Sequence, residues 1–427
     1  MSWQKVKLGE LCVMEKGNIG ITKAIAGEYP LVVTSENRKS HNEYQFDDEA
    51  VIIPLVSSTG HGHKSLKRIH YQEGKFAVGS ILCAVIPKDK SILNAHYLYR
   101  YLDLNKENEL VARMKGMANV TLPMKEIANI EIPLPDIETQ FQFVEKINSI
   151  EAIKDDLVAE QETQLTHLRL LRKQILSDAM QGKLDVPRIV GESGADLLAS
   201  IHAEKAKTTN KAKPLPEIKM DDIPFTIPEH WVWCRLGDVC DFISGNNFNS
   251  ADFKKGEGAK CIKITNAGVG EIIETDDVLP ATFLEKYKSY LVFENDLVLA
   301  LTRPYISDGL KISKCPKSYH KSLLNQRVAV IRPHKNIESS YIYRFLSSDY
   351  VLRLYKAQFD GKSQQPNLKK EDVTGLMLPL PPTSEQEAIL HKIDSLMTHC
   401  DELETSIRQN QTYTQMLYQT ALREALY

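Results

Sequence analysis

The sequence predicts two mixed α/β (α+β) domains, each followed by a long helix, with the two helices packed together as an antiparallel coiled coil. Two observations lead to this pseudo-twofold architecture. The second half of the chain repeats the first, and each half ends in a stretch of more than 40 residues that contains neither proline nor glycine. Such a stretch favours one continuous helix.

The internal repeat rests on two short motifs in each half. KLGELC at Lys7–Cys12 recurs as RLGDVC at Arg235–Cys240, an offset of 228. IPLP at 132–135 recurs as LPLP at 378–381, an offset of 246. The middle of the second half is therefore longer by 246 − 228 = 18 residues. A common frame with different inserts indicates one task performed twice on two different targets.

Changes in pattern along the chain predict the domain boundaries. Short β-branched runs bounded by Gly, Pro, Asn and Ser mark both domains, proline-rich connectors precede both long helices, and the connection is charged with one short helix at 195–207. The predicted segments are a first domain at 1–138, a first long helix at 139–181, a linker at 182–226, a second domain at 227–384 and a second long helix at 385–427.

The two long helices carry apolar residues at alternating steps of three and four, which predicts a heptad seam. The predicted seam residues are Phe143, Ile147, Ile150, Leu157, Leu168, Leu171 and Ile175 in the first helix, and Ile389, Ile393, Leu396, Leu403, Ile407, Leu417 and Ala421 in the second. Neither helix can bury such a stripe alone, so we expect the two to pack on each other. An alternative is that each helix lies on its own domain.

Composition limits the class of protein. With 427 residues, 42% hydrophobic and 26% charged, the chain has the balance of an ordinary globular protein. No apolar run approaches the ~20 residues that span a bilayer. The seven cysteines form no CxxC pair, which supports neither a disulfide framework nor a zinc site. We therefore expect a reduced, cytoplasmic protein without membrane contact. The net charge of −3 argues against indiscriminate coating of nucleic acid, but local basic patches remain.

The chain closely resembles the specificity subunit of type I restriction–modification systems. The resemblance covers essentially the whole chain, including the order and spacing of its parts. The segments that carry it, besides Trp3, are Lys7–Cys12, Ser57–Gly79, Arg169–Leu184, Ala195–Lys207 and Ile227–Cys240.

This resemblance implies a function and a set of partners. Each domain would be a target recognition domain that reads one half of a bipartite site in double-stranded DNA. The helices would fix the unread gap and dock two methyltransferase (modification) subunits, which restriction subunits would join. The chain itself would bind no cofactor and no metal, because S-adenosylmethionine, ATP and Mg²⁺ would belong to those partners.

The residues offer little support for catalysis by the chain itself. The GxGxKS pattern in Thr59–Ser65 is too short for a phosphate-binding loop. Asp47, Asp48, Glu73 and Lys75 are favoured as surface charges over a two-metal nuclease site. His61, His63 and His70 lack a nearby acid or cysteine at a ligand spacing. The alternatives to DNA recognition are a protein–protein scaffold with two ligand-binding lobes, and a stand-alone nuclease or methyltransferase.

Candidate DNA contacts are polar side chains whose hydrogen-bonding groups match base edges or phosphates. In the first domain they are Lys16, Asn18, Lys23, Ser57, Ser58, Thr59, His61, His63, Lys64, Lys67, Arg68, Lys115 and Asn119. In the second domain they are Asn246, Asn247, Lys260, Lys263, Asn266, Thr302, Arg303, Gln326, Arg327, Lys362, Ser363, Gln364, Gln365 and Asn367. Any one of them alone is more simply a solvated loop residue. The functional interpretation is favoured for the glycine-linked segments 57–68 and 361–367 as groups.

Overall fold

A computed structural model describes residues 3–59, 62–208, 215–306, 309–360 and 365–425. The chain divides into two compact units, and each contains one α/β domain together with segments of both long helices. Unit 1 comprises Met1–Thr163 and Ile407–Tyr427, and unit 2 comprises Gln164–Ser406. The sequence-based boundaries keep each helix whole. The structural units cut both helices, because the first part of each helix packs beside the last part of the other, as Gln161 beside Thr414 and Arg172 beside Asp401.

Unit 1 is built on two four-stranded sheets. Its strands are β1 (Lys5–Lys7), β2 (Cys12–Lys16), β3 (Tyr29–Val32), β4 (Lys39–His41), β5 (Phe46–Asp47), β6 (Ala50–Pro54), β7 (His70–Gln72), β8 (Lys75–Val78), β9 (Leu82–Pro87) and β10 (Glu131–Pro133). One sheet has the order β2-β9-β6-β7 and the other β4-β3-β8-β5, while β1 pairs with β10. The apolar sequences AVIIP and LCAVIP suit β6 and β9, which are almost fully buried.

Two helices of unit 1 begin at side-chain caps. The helices are α1 (Leu8–Leu11), α2 (Ala95–Leu104), α3 (Met124–Ala128) and α4 (Ile137–Met180), with a 3-10 turn at Ile21–Lys23 and a π-helix at Glu107–Val111. The side chain of Asn94 accepts from the Tyr97 N–H at 2.9 Å before α2, and Asp136 accepts from the Thr139 N–H at 2.9 Å before α4. Helix α4 ends just before the predicted stop at Gly182, whose φ is 65°.

Unit 2 repeats this plan with a larger second sheet. Its strands are β11 (Val232–Arg235), β12 (Cys240–Ser244), β13 (Lys254–Lys255), β14 (Ala259–Ile262), β15 (Asp277–Leu279), β16 (Leu291–Val292), β17 (Leu297–Ala300), β18 (Tyr305–Ile306), β19 (Gly309–Leu310), β20 (Ile312–Lys314), β21 (Ser322–Leu324), β22 (Val328–Pro333) and β23 (Met377–Leu380). One sheet has the order β12-β22-β17-β20, the other β13-β15-β14-β21-β16, and β11 pairs with β23.

The helices that begin in unit 2 include the short linker helix and the second long helix. They are α5 (Gly194–Thr208), α6 (Leu236–Val239), α7 (Phe283–Lys286), α8 (Ser339–Leu346), α9 (Asp349–Phe359), α10 (Lys370–Thr374) and α11 (Thr383–Ala425). Short 3-10 turns lie at Met220–Asp222, Ser250–Asp252, Lys288–Tyr290 and Lys317–Tyr319. None of the helices within the described ranges is both long enough and apolar enough to cross a bilayer.

The strand registers show how closely the two domains repeat. Cys12 pairs with Pro87, and Cys240 pairs with Pro333. The offset is 228 from Cys12 to Cys240 and 246 from Pro87 to Pro333. Val51 pairs with Val85 and Leu297 with Ile331, both shifted by 246. The offset between equivalent residues of the two halves therefore changes from 228 to 246 between β2 and β6. The 18 extra residues of the second half lie between β12 and β17, where unit 2 has one more short strand and the short helix α7.

The long helices run antiparallel within each unit. In unit 1 the Lys154 ammonium lies 5.4 Å from the Tyr418 ring centroid, and Gln161 Nε2 donates to Thr414 Oγ1 at 3.0 Å. The residue number of the contact in α11 falls as the residue number in α4 rises, as in an antiparallel pair. In unit 2 the guanidinium of Arg172 pairs with Asp401 at 2.6 Å and Glu404 at 3.2 Å. These contacts give the antiparallel packing that the sequence predicts.

Four predicted seam residues are wrong. Leu157, Leu171, Leu403 and Leu417 are 45%, 46%, 52% and 69% exposed. The next residue in each case, Val158, Arg172, Glu404 and Tyr418, is less exposed, and the last three contact the other helix. The remaining predicted seam residues are buried or half-buried.

The error has a physical origin in the heptad itself. Steps of three and four alternate in a heptad, so a seam through Ile147, Gln161 and Ile175 has two possible intermediate registers. The apolar side chains favour the earlier register. At Val158, Arg172, Glu404 and Tyr418 the helices use the later one, which places charged and polar residues such as Arg172 in the seam. Ile150 and Leu396 of the earlier register stay half-buried.

Candidate nucleic-acid interface

In unit 1 the candidates near Lys16, near Ser57 and near Lys115 lie at one end of the β2-β9-β6-β7 sheet. The Ser57 N–H donates to the Val120 carbonyl at 3.0 Å, and the Leu55 N–H donates to the Ile81 carbonyl at 2.9 Å. The Gly17 N–H donates to the Leu82 carbonyl at 2.9 Å. The loop after β2, the loop after β6, the turn before β9 and the segment 115–122 therefore form one surface, which we call the unit 1 loop surface.

Unit 2 has an equivalent surface. The Arg303 N–H donates to the Pro366 carbonyl at 2.9 Å, and the Leu301 N–H donates to the Arg327 carbonyl at 2.8 Å. The Gly245 N–H donates to the Val328 carbonyl at 3.1 Å. The loop after β12, the loop after β17, the turn before β22 and residues 365–368 form the unit 2 loop surface.

The two loop surfaces are related by the internal repeat. Adding 246 to Leu55, Ser57 and Ile81 gives Leu301, Arg303 and Arg327, and the backbone hydrogen bonds correspond. A Cβ at Gly17 would lie 2.3 Å from the Gly79 carbonyl oxygen, and one at Gly245 would lie 1.8 Å from that of Asn325. Glycine is therefore required at both places by the close backbone approach. The backbone frame is shared, whereas the side chains differ.

Most candidates on the unit 1 loop surface are exposed. The exposed ones are Lys16, Asn18, Lys23, Ser58, Thr59, His63, Lys64, Lys67, Lys115 and Asn119, and Ser57 and Arg68 are half-buried. His61 lies outside the described residues. Exposed donors on a hydrogen-bonded backbone are the arrangement that groove contacts require.

Some of these side chains also hold the loops in place. Ser57 Oγ donates to the His63 carbonyl at 2.5 Å, and Ser58 Oγ accepts from the Lys67 N–H at 2.9 Å. Lys115 pairs with Glu126 at 2.7 Å and Arg68 with Glu36 at 3.1 Å. The hydrogen bond from Lys115 lowers the pKa of the Glu126 carboxyl below its usual value. For these residues the structure shows a role in positioning the loop.

One candidate of unit 2 is corrected by the structure, and two others have partners within the same unit. Asn266 is fully buried, where its amide donates to the Ile273 carbonyl at 2.7 Å and accepts from the Lys263 N–H at 2.9 Å. The Lys263 ammonium pairs with Asp277, and the Lys260 ammonium lies 4.6 Å from the Tyr319 ring centroid. A polar residue after a strand can form hydrogen bonds inside the domain or contact a DNA groove. Residue type alone does not distinguish these two roles.

The other candidates of unit 2 lie at or near its loop surface. Asn247, Arg303, Gln326, Gln365 and Asn367 are exposed, as is Arg327, while Asn246 and Thr302 are half-buried. Lys362, Ser363 and Gln364 lie outside the described residues. A recess of about 700 Å³ opens on this surface, and its lining includes Thr302, Arg303, Lys311, Arg327, Gln365 and Glu271.

Sequence reasoning missed Lys311 and Glu271 of the recess and Ile81 of the unit 1 loop surface. A signal for Ile81 is present in the sequence, because the 246-residue offset of the helices also aligns Arg303 with Ser57 and Arg327 with Ile81. No sequence signal marks Lys311 or Glu271. A contact between segments distant in the chain brings them together, where the Gly270 N–H donates to the Ile312 carbonyl at 2.9 Å.

The acidic and histidine residues considered for catalysis take other partners. Asp48 pairs with Lys90 at 2.8 Å, and Glu73 accepts from the Tyr71 hydroxyl at 2.8 Å. Nδ1 of His70 lies 3.0 Å from the Arg38 guanidinium. Among the residues that the structure describes, no three His, Cys, Asp or Glu side chains are grouped as metal ligands.

The buried His70 predicts a pH dependence of stability. Burial, followed by the charges of Arg38 and Arg68, lowers the pKa of the His70 ring to about 4. An unfolded histidine titrates at a pKa of about 6.5, so between these pH values the unfolded state binds more protons and the folded state loses stability as pH falls. We expect the free energy of unfolding of the His70→Gln variant to fall less on acidification, by on the order of 2 kcal/mol, because glutamine stays neutral.

The measurement for His70 is urea unfolding from pH 7 to pH 4. The exposed His391, replaced by Gln, is the matched control and should leave the pH dependence unchanged. An unaltered pH profile in the His70→Gln variant would contradict the assignment.

A family model described as "Type I restriction modification DNA specificity domain" matches residues 1–167 and 228–411. The two matches cover both repeats. The chain is 33% identical over 263 residues to the type I restriction enzyme EcoAI specificity subunit of Escherichia coli, a match covering 60% of this chain and 44% of that protein. It is 26% identical over 407 residues to the MjaVIII specificity subunit of Methanocaldococcus jannaschii, covering 92% of this chain and 86% of that protein.

The solved structures that resemble this one share its fold along the whole chain. The HsdS subunit from Thermoanaerobacter tengcongensis superposes with a TM-score of 0.52 at 17% identity, covering 100% of this chain and 96% of that one. A chain from a structure of a type I R-M system gives the same TM-score, and the match covers 97% of that chain. The match to the EcoAI subunit spans less than half of that subunit's length.

Proposed function

Because the chain belongs to the type I restriction–modification DNA specificity family, we propose that it confers sequence specificity on a type I restriction–modification complex. Each unit reads one half of a bipartite site in double-stranded DNA through its loop surface. The two long helices set the length of the unread gap between the half-sites.

One observation carries this proposal. The two loop surfaces have the same backbone frame, shifted by 246 residues, but different side chains. A common frame presents its loops to the same kind of ligand, and different side chains select different sequences within it. A bipartite target with unlike halves needs this combination.

The chain acts without catalysis of its own in this proposal. Its relatives are named as specificity subunits. Methyl transfer with S-adenosylmethionine and cleavage with ATP and Mg²⁺ belong to two methyltransferase subunits and to restriction subunits. This division agrees with the structural partners that the acidic residues take in unit 1.

The long helices offer a surface for the methyltransferase subunits. In unit 1 the apolar residues Ile153 and Leu157 of α4 and Tyr413 and Leu417 of α11 are exposed, and each directly precedes a seam position. In an antiparallel pair, residues that precede the seam on both helices lie along the same side. Exposed apolar side chains gathered on one side mark a protein contact.

Aspartate substitutions at this apolar side should prevent assembly. We expect Leu157→Asp with Leu417→Asp to weaken binding of a methyltransferase subunit at least ~100-fold, because the interface would bury two charges. Multi-angle light scattering of the reconstituted complex measures this effect. The matched control is Ala159→Asp with Gln419→Asp, which follow the seam on the opposite side and are also exposed. Equal assembly of both double variants would contradict the proposed surface.

The proposed function is tested by DNA binding of the chain reconstituted with its methyltransferase subunits. Binding should be selective for one bipartite sequence, and its affinity should fall as salt rises because phosphate contacts release counterions. Binding without sequence preference, or none, would favour a protein–protein scaffold with two ligand-binding lobes.

A further inference from the structure

At two equivalent positions the unit 2 loop surface carries an arginine where that of unit 1 carries an uncharged residue. Arg303 and Arg327 stand where the repeat has Ser57 and Ile81. Both arginines are exposed and line the same recess together with Lys311. Within the described parts of the chain, no carboxylate lies within ion-pair distance of these three side chains. Other candidate cations, such as Lys115 and Lys263, are paired with an acid.

The backbone at both arginines is unusual. Arg303 has a φ of 48° and Arg327 a φ of 68°, in the left-handed region that non-glycine residues seldom adopt. Hydrogen bonds fix both: the Arg303 N–H donates to the Pro366 carbonyl, and the Arg327 carbonyl accepts from the Leu301 N–H. The corresponding hydrogen bonds in unit 1 form without a positive φ at Ser57 or Ile81. A costly conformation held at an exposed site is typical of a functional position.

We propose that Arg303 and Arg327 read guanine, so that the half-site recognised by unit 2 contains G·C pairs. Arginine forms a two-pronged hydrogen bond to O6 and N7 of guanine in the major groove, and a fixed backbone gives the fork a defined position. This inference rests on the proposed function and adds the chemical class of the bases.

Two observations favour base contacts over phosphate contacts. Phosphates are the same in every half-site, so we expect residues that bind them to occur in both repeats. Arg303 and Arg327 occur in the second repeat alone. The exposed Glu271 lines the same recess, and its carboxylate repels a phosphate. A carboxylate can instead accept from the N4 amino group of cytosine, the partner of guanine.

The test replaces each arginine by glutamine in the full chain, reconstituted with its methyltransferase subunits. Methylation of a plasmid library with randomised half-sites is then read by sequencing. We expect each of Arg303→Gln and Arg327→Gln to reduce discrimination for guanine at one position by roughly 5- to 150-fold. The other half-site, the gap and the salt dependence should stay as they are. Arg353→Gln on α9, away from the recess, is the control and should change none of these.

Two results would overturn the proposal. One is DNA binding that is weakened equally for all sequences, with the slope of log affinity against log salt concentration reduced by about one. That result marks a phosphate contact. The other is a wild-type unit 2 half-site without a G·C pair. If the wild-type chain directs no sequence-specific methylation at all, the proposed function itself fails. Unchanged thermal unfolding of the variants ensures that loss of discrimination reports on readout.

Discussion

Inserting one heptad into each long helix is expected to lengthen the unread gap by about three base pairs. Seven residues add ~10 Å of helix, and a base pair occupies ~3.4 Å along the duplex. The insertions belong between Thr163 and Gln164 and between Asn410 and Gln411, which face each other by the contact of Gln161 with Thr414. A full heptad preserves the seam register, so the two helices can still pack on each other. The insertion changes no residue of either loop surface. Methylome sequencing of cells that carry the variant measures the gap.

Two controls accompany this prediction. A five-residue insertion in each helix breaks the alternation of three and four and should destroy assembly. A heptad in one helix alone leaves the other unable to follow and should also abolish modification. A methylated motif with the original gap in the doubly extended variant would refute the spacer role of the helices.

Replacing the segment 57–68 is expected to change one half-site and leave the other intact. This segment joins the unit 1 loop surface through Ser57, whose N–H donates to the Val120 carbonyl at 3.0 Å. Each base contact that is lost should cost about 1–3 kcal/mol of discrimination. The unit 2 loop surface lies in a separate compact unit, so the half-site that we propose it reads should persist. Sequencing of methylated sites reports both half-sites in one measurement.

The reciprocal control replaces the segment 302–311 of unit 2. It should alter the other half-site while the half-site read by unit 1 and the gap remain. A change in both halves from either replacement would show that the two units do not read independently.

The repeat was the part of the fold that could be predicted best from the sequence. The motifs at Lys7–Cys12 and Arg235–Cys240 lie in strands and short helices with matching registers, because a shared backbone pairing demands similar residues in both halves. The long helices followed from the absence of proline and glycine. Their pairing also followed, since an apolar stripe on each requires a partner.

The seam register and the role of single loop residues could not be predicted in the same way. Leu157 and Val158 are both apolar, so the sequence cannot decide which of them faces the other helix. Asn266 and Arg303 are both polar loop residues, but one serves the core and the other lines the recess. Such choices depend on contacts between residues distant in the chain, which a local pattern does not contain.

The methylome of cells that express this chain with its methyltransferase subunits tests most directly whether the two units read a bipartite target. We predict one methylated motif that depends on this chain, made of two specific half-sites separated by a gap of fixed length, with G·C pairs in one half. Methylation that is independent of the chain, or that occurs at a continuous motif without a gap, would contradict this function.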